Sequence, residues 1–229
     1  MKGIWILLLL ILTAALPVII VFVWFRYRKS PVTLPWFLTA LIAGFISLFA
    51  AVIIQNLFPS PGGDRLGPVL FGVFVRIALV EEASRLVTLV PLIMMIKRRR
   101  NTDRTFCAAL GLAAGLGFAA LENAVYGTAD IYITLLRAFT AAPLHGACGI
   151  RAGAAVFTSG KHPAKAFFLF VSAVLIHGAY NLMIVSPGFP SVLAAPAAYA
   201  ALFASLSYIK TAEKDEDNPF PPNSPAARS

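Results

Sequence analysis

Seven residues in this chain have side chains that, brought together, could do chemistry: Glu81, Glu82, Arg85, Glu122, His145, His177 and Asn181. All lie in stretches that otherwise read as apolar helix. A carboxylate can take a proton from water and return it to a leaving group. Two adjacent carboxylates in a low dielectric oppose one another's charge, and Arg85 is placed to hold one of them ionised. The histidines can orient water, donate to an oxyanion or bind a divalent metal such as zinc, and Asn181 can serve as a neutral oxyanion donor. If a metal is bound, Glu81, Glu122, His145 and His177 are its candidate ligands. The combination suits attack of water on a carbonyl. Glu81 and Arg85, Phe118 and Glu122, and His177 and Asn181 are each four residues apart, so each pair shares a helix face.

Several hydrolase plans are excluded by inspection. The chain has no HExxH zinc-protease motif, no intramembrane GxGD aspartate, no GxSG serine and no ExxH pair of the di-iron type. Cys107 and Cys148 are lone thiols in apolar surroundings and read as packing residues.

The elements that must position these groups are membrane helices. Of the 229 residues, 59% are hydrophobic and 13% charged, and the mean hydropathy is +0.81, far from an ordinary soluble domain. A helix of about 20 apolar residues crosses a hydrocarbon core, and lipid leaves a backbone no alternative partner for its polar groups. Seven spans are expected, near 4–25, 34–57, 68–96, 105–126, 131–157, 165–186 and 190–209. The expected fold is an all-α polytopic bundle with about seven transmembrane helices and a polar active-site pocket within the membrane. Residues 1–210 form one transmembrane domain with its catalytic core at about 68–186, and the polar, proline-rich 211–229 reads as a disordered cytoplasmic tail. The first span continues through "VIIVFVWF" to the basic "RYRK", which suits a retained anchor rather than a signal peptide.

The formal net charge of +9 is topological. Its clusters, Arg26 to Lys29, Lys97 to Arg104, and Lys161 with Lys165, occupy alternate loops. The positive-inside rule then sets the N-terminus outside and the C-terminus in the cytoplasm, and no nucleic-acid partner is implied. The partners are the lipid bilayer and a membrane substrate.

Counting 1.5 Å per residue puts Glu81, Glu82, His145 and His177 near mid-span, with Glu122 and Asn181 a turn or two nearer the outer face. A charge at that depth costs about 2.5–3.5 kcal/mol if it faces lipid, so these groups are expected to face inward. Arg76, Arg137 and Arg151 lie nearer span ends, where they can snorkel. "GLAAGLGFAA" before Glu122 and "HGA" after each span histidine allow close helix approach. Polar residues can also simply join helices by hydrogen bonds, and this is the plainer reading of the same cluster.

In this order, "EEASR" 81–85, "FAALEN" 118–123, His145 and "HGAYN" 177–181 resemble the EExxK, FxxxEN, His and HxxxN motifs of the PrsW-type intramembrane proteases. That family is related to the CAAX prenyl endopeptidase and bacteriocin-processing group. The resemblance spans about 68–186 and departs at Arg85, where PrsW-type members usually carry lysine. It implies a membrane-embedded endopeptidase, glutamic or metal-dependent, acting on a single-pass membrane protein such as an anti-sigma factor in a bacterial plasma membrane. By the same resemblance, Glu81 and Glu82 are catalytic, His145 assists water activation, and His177 and Asn181 stabilise the oxyanion. The general base is left open between the glutamates, Glu122 included. Arg85 and Phe118 take supporting places. The competing reading is a proton-coupled transporter or membrane scaffold using the same Glu, His and Arg cluster. An inactive family member is a third.

Overall fold

A computed structural model describes residues 2–58, 65–99, 101–127, 131–186 and 190–216; side chains are described except at 2–11, 126–135 and 210–216. The described residues are helical throughout, with short connections. In chain order the elements are α1 (Lys2–Tyr27), α2 (Leu34–Leu57), α3 (Leu66–Leu70), a π-helical stretch (Phe71–Leu79) continuous with α4 (Val80–Lys97), α5 (Arg104–Gly127), α6 (Ile131–Thr158), α7 (Pro163–Val185), a 3-10 turn (Ser191–Leu193) and α8 (Ala194–Glu216). The helices match the expected spans closely, and α2 coincides with its own. α8 continues to Glu216, and 217–229 lie outside the described residues.

Helix ends follow local chemistry. The Asp103 carboxylate accepts the Phe106 N–H at 2.5 Å, satisfying one of the donors that the first turn of α5 leaves open. α1 closes through two reverse bonds, Ser30 N–H to the Phe25 carbonyl at 2.9 Å and Lys29 N–H to that of Arg26 at 3.2 Å. Lys29 there adopts φ 50°, the left-handed residue of a Schellman cap.

Among the described residues, four helical segments are long and apolar enough to cross a membrane: Leu34–Leu57, Arg104–Val125, Pro163–Val185 and Ser191–Ile209. They divide by burial. The α5 window is 83% buried, whereas those of α2, α7 and α8 are 39%, 33% and 28% buried, so α5 is the central rod and the others face outward. Along α2, Leu38, Ile42, Phe45, Phe49 and Ile53 are exposed. Large side chains on an outward face cost little in lipid and much in water; the chain is an integral membrane protein.

α5 and α6 make the most extensive contact in the bundle. A Cβ on Gly111 would strike the carbonyl of Gly149, one on Gly115 that of His145, and one on Gly153 that of Cys107. The two backbones therefore touch in an antiparallel register repeating every four residues, the spacing of one helix face. Two further steps set Asn123 opposite Arg137. The Arg137 Nε donates to Asn123 Oδ1 at 3.0 Å.

The long third span is not uniform. Its π-helical stretch ends at Leu79, two residues before Glu81; such wide turns recur at functional sites. Within it Arg76 reaches back to α2, donating to the carbonyls of Phe58 at 3.1 Å and Gln55 at 3.0 Å. It thereby satisfies carbonyls that the end of α2 leaves unpaired.

Candidate active site

Five helices contribute to one hydrogen-bonded cluster. α4 supplies Glu81, Glu82 and Arg85, α5 Phe118, Glu122 and Asn123, α6 Arg137 and His145, α7 His177, and α2 Gln55. Glu82 and Arg85, one helical turn apart, form a buried ion pair. The other Glu82 oxygen lies 2.8 Å from His177 Nδ1. Arg85 donates through its second terminal nitrogen to His145 Nδ1 at 3.1 Å. His145 Nε2 stands 2.9 Å from Glu122 Oε2, which also pairs with Arg137 at 2.6 Å.

These contacts assign the imidazole protons. A guanidinium can only donate, so His145 Nδ1 accepts and its Nε2–H donates to Glu122. Glu82, held as carboxylate by Arg85, accepts from His177 Nδ1–H. His177 Nε2 then faces Glu81, whose Oε2 is 3.6 Å away. Glu81 Oε1 accepts from Gln55 Nε2 at 3.1 Å, while Oε2 is buried without a hydrogen bond. Two of the three acids are thus matched to a guanidinium, Glu82 to Arg85 and Glu122 to Arg137. Glu81 has only an amide and an imidazole.

Aromatic rings fix the walls. Phe118 lies 4.8 Å from the Arg85 guanidinium and 4.8 Å from the His145 ring, and His145 meets His177 edge-on at 5.0 Å. The cluster is closed: Arg85 is 0% exposed, Glu82 1% and Glu81 6%. Exposure rises at Gln55, which is half-buried, and at Glu122 and Arg137, to 15% and 19% of their side chains.

The donor set suits a divalent metal. Glu81, His145 and His177 each have a candidate ligand atom within 4.8 Å of the others, but both His145 nitrogens are taken, by Arg85 and Glu122, which leaves Glu81 and His177 with open positions. Two ligands of a tetrahedral zinc with bonds of about 2.1 Å stand about 3.4 Å apart, close to the 3.6 Å between Glu81 Oε2 and His177 Nε2. A carboxylate on the far nitrogen, as Glu82 is on His177, orients a ligating imidazole. Glu122, also expected as a ligand, instead engages His145 and Arg137. Glu82, Cys148 and His177 form a second close group, but the first and last bind one another and the Cys148 thiol donates to the Ala173 carbonyl, in keeping with a packing role.

The model of the PrsW family of intramembrane metalloproteases matches residues 32–208. The chain belongs to that family. Protease PrsW of Clostridioides difficile (strain 630) is 24% identical over 194 residues, covering 77% of this chain and 79% of that protein. No solved structure matches. PrsW membership makes this chain a membrane protease and sets aside the transporter and scaffold readings.

Among the residues expected from the PrsW motifs, Glu81, Glu82, Arg85, Phe118, Glu122, His145 and His177 come together. Asn181, half-buried one turn beyond His177, has no hydrogen bond to the cluster among the described contacts. Three partners were not anticipated. Arg137, expected to snorkel, turns inward to Glu122; Asn123 follows from the glycine register; Gln55 stands beside Asn56 near the end of an apolar helix, with nothing to single it out.

Proposed function

We propose that this protease hydrolyses a peptide bond of a membrane-anchored protein by activating water at Glu81. One observation carries the reading: Glu81 is the acid of the cluster without a guanidinium, and its Oε2 has no hydrogen bond. An unpaired carboxylate oxygen can accept a proton from water, whereas Glu82 and Glu122 are already engaged. Glu82 orients His177, and Arg85 holds both Glu82 and His145 in place. Asn181 donates its amide to the oxyanion once a substrate backbone lies along α7. The scissile bond approaches from the Glu122–Arg137 side, where two of the cluster's side chains are partly exposed.

A zinc ion would be held by Glu81 Oε2 and His177 Nε2, in which case that oxygen would be a ligand and not the acceptor of the water proton. When bound, the ion supplies Lewis acidity and lowers the cost of deprotonating water. On this reading the protein spans a bacterial plasma membrane seven times, N-terminus outside and C-terminus cytoplasmic, an orientation that its basic loops support. Its substrate is a single-pass protein, with an anti-sigma factor the class that the resemblance implies.

The test is incubation of the protein in nanodiscs with a library of single-pass peptides, with products read by mass spectrometry before and after chelation and zinc repletion. Cleavage inside the apolar segment, lost on chelation and restored by zinc, is the expected result. Undiminished cleavage after complete metal removal contradicts the zinc assignment, and absence of any cleavage by folded, zinc-loaded protein contradicts the substrate class.

A further inference from the structure

The π-helical stretch stands between two helices that hold Glu81. On one side it packs along α7, where a Cβ on Gly178, the residue after His177, would strike the Phe74 ring. On the other side it hardly touches α2, although α4, its continuation, packs along that helix. Among the described residues, the Arg76 side chain crosses from the stretch to α2. Its Nε donates to the Phe58 carbonyl at 3.1 Å and its Nη2 to the Gln55 carbonyl at 3.0 Å.

Gln55 is tied at both ends. Its carbonyl accepts from Arg76, and its side-chain amide donates to Glu81 Oε1 at 3.1 Å. It lies in the last turn of α2, two residues before Leu57, where carbonyls have no helical partner and helices fray. An amide reaching from such a turn holds its acceptor only as well as the turn itself is held. The Arg76 guanidinium spreads its rigid fork of donors over two carbonyls of that turn, a geometry that a single ammonium matches less well. The other Glu81 oxygen lies 3.6 Å from His177 on α7, so the orientation of this acid depends on how α2 and α7 are spaced across the π-helical stretch.

We infer that Arg76 is a positioning residue for the cleavage reaction: it fixes the outer end of α2 so that Gln55 holds Glu81 with Oε2 toward His177. This rests on Glu81 acting in the hydrolysis. A residue that only capped α2 would make the same two hydrogen bonds, but losing it would lower the melting temperature and leave the chemical step alone.

Single-turnover cleavage of a single-pass peptide from the library tests this in nanodiscs, with protein in saturating excess so that the first-order rate does not depend on the amount folded. Arg76→Met keeps the length of the stem and removes its donors, Arg76→Gln is a milder loss, and Arg76→Lys keeps the charge. Gln55→Leu, the Arg76→Met and Gln55→Leu double variant, and Glu81→Gln complete the set. Arg76→Met should slow the chemical step about fivefold, within the range for residues of one hydrogen-bond network, with half-saturation unchanged. Arg76→Gln should lie between it and wild type, and Arg76→Lys should recover most of the loss. The double variant should cleave at the rate of Gln55→Leu alone, because Arg76 acts through Gln55. A wild-type rate in Arg76→Met and Arg76→Gln, whatever their melting temperatures, would overturn the inference and leave Arg76 a cap of α2. Losses that multiply in the double variant would overturn it as well, by placing Arg76 on a separate route. A wild-type rate in Glu81→Gln would instead remove the role of Glu81 on which the inference rests.

Discussion

Arg85 and Arg151 are both buried, on neighbouring helices of the same bundle, yet their surroundings are opposite. Arg85 is met by a carboxylate and an imidazole, with a phenyl ring at its face. Arg151 donates to the hydroxyls of Ser205 at 3.1 Å and Ser172 at 2.8 Å, with Tyr208 at 5.6 Å. The second arrangement joins α6, α7 and α8, and neutral dipoles suffice to hold it. The first concentrates opposite charges where desolvation is most costly, and in doing so it fixes two imidazoles and leaves Glu81 without a matched cation. Buried charge used as glue needs only partners; buried charge used for chemistry leaves one group unsatisfied.

Breaking this contrast should give a graded series. The largest stability loss is expected from Arg85→Ala, about 3–5 kcal/mol, because Glu82 would be stranded; thermal unfolding in detergent measures it. Gly115→Ala comes next, about 1–3 kcal/mol, since its Cβ would strike the His145 carbonyl. Cleavage should fall with it although residue 115 bears no polar side chain. Removing Arg151 as Arg151→Ala should cost about 1–2 kcal/mol and leave the cleavage rate of the folded fraction unchanged; a matching loss of rate would put Arg151 in the site. Smallest is Gln55→Leu, about 1 kcal/mol or less. Its readout is a several-fold drop in kcat with KM unchanged, as expected of a residue that positions Glu81.

Much of this contrast was legible in the sequence. Glutamates and histidines inside apolar runs cannot face lipid cheaply, so Glu81, Glu82, Glu122, His145 and His177 announced a shared interior. The α2 boundaries followed from the length of its apolar run, and Pro35 stands in the first turn of the helix. The π-helical stretch did not, because a change from i+4 to i+5 bonding leaves no mark on composition. Arg76 and Arg137 read as snorkelling residues because position within a span says nothing of which helix lies alongside. Only the glycine contacts between α5 and α6, once seen, place Arg137 against Asn123. Asn181 shares a face with His177 but reaches no partner among the described residues, since helical spacing specifies direction and not contact.

The central claim is that Glu81 and Glu82, adjacent in sequence, differ in kind. The direct measurement compares Glu81→Gln with Glu82→Gln in one preparation, reading single-turnover cleavage and thermal unfolding together. Glu81→Gln should lower the rate about 10²–10⁴-fold with little change in stability, whereas Glu82→Gln should lower stability by about 3 kcal/mol or more by leaving Arg85 unpaired. A Glu81→Gln protein that is fully folded and cleaves at the wild-type rate would contradict the account.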